Sequence, residues 1–443
     1  MKVTIIAGAR PNFMKIAPLM RAIKAAKAAG KNITARLVYT GSDEDKSLEP
    51  SLFTDLDMPR PDVYLHVDNT DFFQRMAGIL VAFARELEQH PAQVVLVVDD
   101  LTPTMACSIV AKKKGIKVAH LVAGTRSFDM DMPKEVNSMI TDGLSDYLFT
   151  AGMVANRNLN QTGTEQAHVH FVGNILIDTL RYNRTRLQRP VAFSIMGLKE
   201  KEYLLLTLNK HSLLNNDTAL KAIFRTILEK TDKPIVAPLH TYVKNKLSVL
   251  NITSERLYIL PPQPYLSFGY LVSHAQGLIT DSGNVAEEAT FLGIPCMTLS
   301  TYAEHPETVT IGTNRLVGED PEILANALDM LNKGEWQKGL LPERWDGHTA
   351  ERLCKRCWMN INKIENHSQI KTRMPQDLVF CGIRVFIDFL SISLTLSSLP
   401  SIIQTKTKQF LQLEVVNLSS VPLFHPAMTS SRPEVRKRTC GLT

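Results

Sequence analysis

The sequence predicts an α/β protein of two doubly wound halves facing a cleft, followed by an irregular C-terminal tail. Three observations predict it. Short apolar runs alternate with helical patterns from the first residues onward. Most of those runs are apolar on both faces, the mark of parallel strands covered by helices on two sides. The alternation breaks in the basic, proline-containing stretch 181–200 and starts again at Tyr203. A chain of 443 residues also exceeds one hydrophobic core, so two domains and an extra segment are expected.

Taken in order, Lys2 to Ala9 is a strand, Gly8 to Asn12 a turn, and Phe13 to Ala28 a helix with Met14, Ile16, Met20 and Ile23 on one face. Thr34 to Thr40 is the second strand. Val94 to Val98 is a continuous apolar strand ending in Asp99-Asp100, with a helix from Thr104 to Lys114. Val118 to Val122, Tyr147 to Phe149 and Val169 to Val172 are further strands, with a helix around Pro133 to Asp142. The second half reads as strand Tyr203 to Leu208, helix 217–229, strands Pro234 to Leu239, Leu257 to Leu260 and 277–280, helix 283–292 and strand Cys296 to Leu299. Helices at 320–333 and 347–365 close the body. The domains are therefore expected at 1–180 and 200–365, both Rossmann-like, with a tail at 366–443.

The charge distribution gives no argument for nucleic-acid binding, and none is expected. Of the net +6, residues from Asn366 onward carry nine Lys or Arg against four acids, so the body is near neutral. The N-terminal apolar run is a strand rather than a signal peptide, and six cysteines in a long chain imply reduced thiols and a cytoplasmic setting. Cys354 and Cys357 form a lone C-x-x-C on an amphipathic helix, where neighbours at that spacing meet without any metal. In the tail, Leu378 to Ile403 is apolar but interrupted by Arg384, Asp388 and Pro400, so no membrane span is expected. The basic end after it is expected to be disordered.

In doubly wound sheets, ligands bind beyond the carboxyl ends of the strands. The residues to watch are then Arg10, Asp100, Arg126, Asn209, His240, Asp281 and Ser282. The stretch Thr280-Asp-Ser-Gly-Asn-Val-Ala-Glu-Glu288 turns a buried strand into a helix. Free N–H groups and the positive helix end there favour an anion. Glu287 and Glu288, one turn further in, can accept hydrogen bonds from sugar hydroxyls. The plainer reading is that Asp281 and Ser282 merely cap the helix.

Several stretches run in a shared order over residues 1–365: Gly8-Ala-Arg-Pro-Asn-Phe-Met-Lys15, Ala123-Gly-Thr-Arg-Ser127, Met132-Pro-Lys-Glu-Val-Asn137, Val172-Gly-Asn174 with Asp178, Thr280 to Glu288, Glu304-His-Pro-Glu-Thr308, and Gly312 to Gly318. Together they resemble the non-hydrolysing UDP-N-acetylglucosamine 2-epimerase family. The resemblance implies a GT-B architecture with UDP held by the second domain, and a homodimer. It implies inversion at C2 of a UDP-sugar by proton removal, loss of UDP and re-addition, with neither metal nor redox cofactor. It assigns Arg10, Lys15, Arg126, His240, Ser282, Gly283 and Glu288 to substrate binding, and Asp100 and Glu135 to catalysis.

The acid–base positions depart from that pattern. Asp100 matches the aspartate of Gly-Asp-Thr, but its neighbours are Asp99 and Leu101. Val122, Lys134 and Asn209 stand where glutamate, glutamate and histidine are expected, and Ser42-Asp43 and Ser300 replace Gln-His and Arg. Asp99, His120, Glu135, His211 and His240 are the conceivable substitutes. Asp99 is expected to be a solvated strand-end acid, although beside Asp100 it could raise the pKa of one of the two carboxylates by like-charge repulsion. His120 is expected to be bonded within the core, and His211 to lie in a polar loop. Two readings follow: a weakened epimerase acting on UDP-GlcNAc or a close relative, or an inactive paralogue that binds a UDP-sugar as sensor or partner. A glycosyltransferase of the same architecture is a third, weaker idea.

Overall fold

The computed structural model describes residues 1–68 and 71–355. The C-x-x-C pair, the apolar stretch 378–403 and the basic tail end lie wholly or partly outside them. Seven strands form the first sheet: β1 (Lys2–Ala7), β2 (Thr34–Tyr39), β3 (Val63–Tyr64), β4 (Val94–Val98), β5 (Lys117–Leu121), β6 (Tyr147–Thr150) and β7 (Val169–Phe171). Six form the second: β8 (Leu204–Thr207), β9 (Ile235–Pro238), β10 (Leu257–Leu260), β11 (Gly277–Thr280), β12 (Cys296–Thr298) and β13 (Asn314–Leu316).

Every strand pair is parallel. The orders are β3-β2-β1-β4-β5-β6-β7 and β10-β9-β8-β11-β12-β13. Both sheets thus reverse direction once, between β1 and β4 and between β8 and β11, which is where doubly wound sheets open a binding crevice. The central strands are solid core: all five residues of β4 and all four of β8 are buried. Burying each such Val or Leu contributes about 1.5–3 kcal/mol, so both switch points rest on well-fixed strands. Gly8 is needed where the end of β1 meets the first turn of the helix Thr102–Lys113, because a methyl there would lie 2.7 Å from Cβ of Pro103.

Both sheets belong to one compact unit. The last described segment returns to the first sheet: Trp345 donates to the Ala151 carbonyl, and Asp178 accepts the N–H groups of Thr349 and Ala350. Two expectations are corrected. The first helix begins at Arg10, not Phe13, because Asn12 accepts from Gly8 and Ala9 N–H and starts the first turn early. His211 is not in a loop but opens the short helix His211–Leu214, which the burial of Leu213 and Leu214 holds in place.

Candidate active site

The N-terminal wall is a buried charge network. His120 on β5 contacts the Asp142 carboxylate at 2.7 Å through Nδ1 and the Asp99 carbonyl at 2.9 Å through Nε2. Both partners are acceptors, so both ring nitrogens donate and the ring is an imidazolium. Burial opposes that charge, but Asp142 outweighs it and raises the pKa. His120 is therefore hydrogen-bonded within the core through both ring nitrogens, as expected, and neither is free to act as a substitute base. Asp142 also holds Arg126, Nη1 to Oδ2 at 2.7 Å, and Arg126 lies 3.8 Å from Glu135. Glu135 in turn accepts from Ser127 N and Oγ at 2.6 and 2.8 Å.

Asp99 is not the solvated acid expected of it. It accepts from Lys15 Nζ at 2.6 Å and from Asn12 Nδ2 at 2.8 Å. Lys15 is 3% exposed, and its neighbouring acids override burial to raise its pKa, so it stays charged. Arg10 opens the first helix and donates through Nε to Glu49 at 2.7 Å.

Asp100 stands outside this network, with Lys134 at 3.9 Å. Burial, with Glu304 and Asp99 adding to it and Lys134 opposing, pushes its carboxyl up to about 6. Burial, rather than repulsion from Asp99, is thus the main cause. A cavity of about 260 Å³ is lined by Asp100, Arg126, Glu135 and Lys134, with Tyr302 and Glu304 from the C-terminal half. It adjoins a second of about 370 Å³ lined by Asp281, Gly283, Glu287 and Asn314 among others, and sharing Tyr302 and Glu304.

The turn after β11 is not a simple cap. Ser282 occupies the N-cap position without a side-chain cap bond. Asp281 Oδ2 accepts the N–H groups of Asn209 and Lys210 at 2.6 Å instead, which ties the ends of β8 and β11 together and leaves the helix end open. Glu287 accepts from Asn174 of the first half at 2.6 Å. Glu288 is fully buried, and burial with Glu287 beside it pushes its carboxyl up to about 8, so at neutral pH it carries its proton. His240 is exposed at the end of β9 and stacks on Tyr242.

The structure thus gathers Asp100, Arg126 and Glu135 in one cavity and Gly283 in the next. Arg10, Lys15, His240, Ser282 and Glu288 line neither. Glu304 enters the sequence reading only as the first residue of a motif, without a role, and Tyr302 not at all; their place between the cavities has no local signal. Lys134 stood out only as a missing acid. Among the described residues no cluster of His, Cys, Asp or Glu is fit to hold a metal, and no helix is long and apolar enough to cross a membrane.

The family model described as UDP-N-acetylglucosamine 2-epimerase matches residues 25–356. The UDP-N-acetylglucosamine 2-epimerase of Methanocaldococcus jannaschii is 34% identical over 368 residues, covering 80% of this chain and 98% of that protein. Its structure in complex with UDP-GlcNAc and UDP superposes with a TM-score of 0.71 at 32% identity, over 80% of this chain and 100% of that one. A UDP-2,3-diacetamido-2,3-dideoxy-D-glucuronate 2-epimerase of Pseudomonas aeruginosa is 30% identical, covering 74% of this chain and 91% of that protein.

Proposed function

Because this chain belongs to the UDP-N-acetylglucosamine 2-epimerase family, we propose that its cleft binds a UDP-N-acetylhexosamine and that Asp100 exchanges the C2 proton, with inversion much slowed. One observation carries the reading. Asp100 lines the cavity with no side-chain hydrogen bond to its carboxylate among the described residues, only Lys134 at 3.9 Å, and its pKa of about 6 leaves it mostly ionised at neutral pH.

UDP lies in this reading against the open start of the helix Gly283–Leu292, with Ser282 and Gly283 at the diphosphate and Glu288 near the ribose. The sugar points toward Asp100. Proton removal at C2 with departure of UDP from C1 leaves a glycal, and return of the proton to the opposite face inverts the centre. That return needs a second acid. Val122 and Asn209 cannot supply a proton, and the oxygens of Glu135 are engaged by Ser127 and Arg126. Each absent acid–base group costs roughly 10² to 10⁴ in rate. Re-protonation should therefore favour the face that lost the proton.

The test is interconversion of UDP-GlcNAc and UDP-ManNAc followed by chromatography. The expected turnover is slow, is abolished in Asp100→Asn, and falls as pH drops through about 6 because the base becomes protonated. Turnover that survives Asp100→Asn would remove Asp100 from the reaction. The alternative, a UDP-sugar sensor without turnover, draws on the same missing acids and requires binding with no reaction at all.

We also propose a homodimer and a cytoplasmic setting. The helix Pro133–Leu144 exposes Val136, Met139 and Ile140 on one face, an apolar stripe suited to a second copy. The three described cysteines are free thiols, in keeping with a reducing compartment.

A further inference from the structure

The two cavities meet at one ion pair. Lys134, in the first turn of the helix Pro133–Leu144, donates through Nζ to Glu304 Oε1 at 2.8 Å and lies 3.9 Å from Asp100. Glu304 comes from the other half of the molecule, 170 residues along the chain. Its second oxygen sits at the start of the helix Gly283–Leu292, where a methyl on Gly283 would come within 2.9 Å of it. One carboxylate thus pairs with the ammonium and stands beside the amide end of a ten-residue helix, two groups that favour an anion. Lys134 overcomes burial to hold Glu304 ionised, and Glu304 with Asp100 holds Lys134 protonated.

A second observation points to a ligand at the same place. Glu287, 1% exposed, lines the cavity with Oε1 buried, 3.7 Å from His305 Nε2 but without a hydrogen bond among the described residues, and Asp281 Oδ1 is likewise buried without one. Buried acceptors without donors are costly, and sugar hydroxyls or an imide N–H would satisfy them. The site as a whole fits a ligand with an anionic centre flanked by hydroxyls.

Resting on the UDP-sugar reading above, we propose that Lys134 is a diphosphate ligand supplied by the N-terminal half. Glu304 is its placeholder, holding the anion position closed until the diphosphate displaces it. Position 134 bears a glutamate in the pattern this chain resembles, so the cation and its partner form a gate particular to this chain. Lys134 is about half exposed, and exchanging a carboxylate for a phosphate leaves its charge compensated throughout.

The test is calorimetric titration of the full chain and of Glu304→Gln and Lys134→Gln with UDP and with uridine. Glu304→Gln keeps the shape and removes the competing charge. It should tighten UDP on the order of tenfold, the scale of one removed like charge, and leave uridine unchanged. Lys134→Gln should weaken UDP by a similar factor and again spare uridine, and it stands as the independent arm if the first variant unfolds. Equal UDP affinity in all three proteins would overturn the gate while leaving the UDP site standing. Failure of all three to bind either probe would overturn the site and the gate together.

Discussion

Asp99 has φ of +60°, a left-handed conformation that the Gly-Asp-Thr pattern reserves for glycine. Aspartate is among the few side chains that tolerate it, and here the substitution gives Lys15 a counter-ion at 2.6 Å. Val122 also stands at positive φ, +69°, where a β-branched residue costs about 1–2 kcal/mol. Nothing in the structure explains why valine stands there. Glu288 yields the clearest residue-level prediction. The unfolded chain releases this proton near 4.5 and the folded chain near 8, so the folded state binds the proton more tightly. Its contribution to stability therefore falls as pH rises between those values and is flat outside them. Glu288→Gln removes that decline. Urea denaturation near pH 5 and near pH 8 should show a loss smaller by at least about 1 kcal/mol in the variant, and equal losses would mean the acid is already ionised in the fold.

At the scale of elements, the last helix of the second sheet's half is the most legible, because the chain announces both its ends chemically. Asp320 accepts from Glu322 and Ile323 N–H, Pro321 follows it, and Gly334 ends the helix in a left-handed turn. That helix was placed to within a residue. The helices Met153–Gln161, Thr241–Val249 and Tyr265–His274 went unread, and their N-cap residues Gly152, His240 and Pro264 make no side-chain cap bond. The helices Phe72–Gln89 and Ile175–Asn183 also lie outside the sequence reading although Asp71 and Asn174 cap them with side-chain bonds, so a cap alone does not make a helix legible. The two-residue β3 and three-residue β13 are too short for a period-two pattern. At this scale belongs the dimer prediction. Met139 and Ile140, 42% and 38% exposed, sit beside Val136 at helical spacing. Met139→Glu with Ile140→Lys should shift the sedimenting species from dimer to monomer. A wild-type monomer, or a variant that stays dimeric, would move the interface elsewhere.

At the scale of the whole molecule, the order of motifs points to the two-sheet GT-B arrangement, and several of them, such as Gly8 to Lys15 and Thr280 to Glu288, sit where a strand turns into a helix. What joins the halves was not legible. Lys134 to Glu304, Asn174 to Glu287 and Val154 N–H to Glu307 link residues 113 to 170 apart in sequence, and no local pattern encodes such a pairing. The same contacts decide the chemistry, since they set the charge around Asp100 and around the anion site. The account's central claim is that this cleft keeps a base for the C2 proton but has lost the acid that inverts the centre. It is tested most directly by proton NMR of UDP-GlcNAc incubated with the protein in D₂O. The predicted result is deuterium at C2 of recovered UDP-GlcNAc, accumulating faster than UDP-ManNAc forms and absent with Asp100→Asn. Bound UDP-GlcNAc that never takes up deuterium, or UDP-ManNAc forming as fast as deuterium enters, would contradict it.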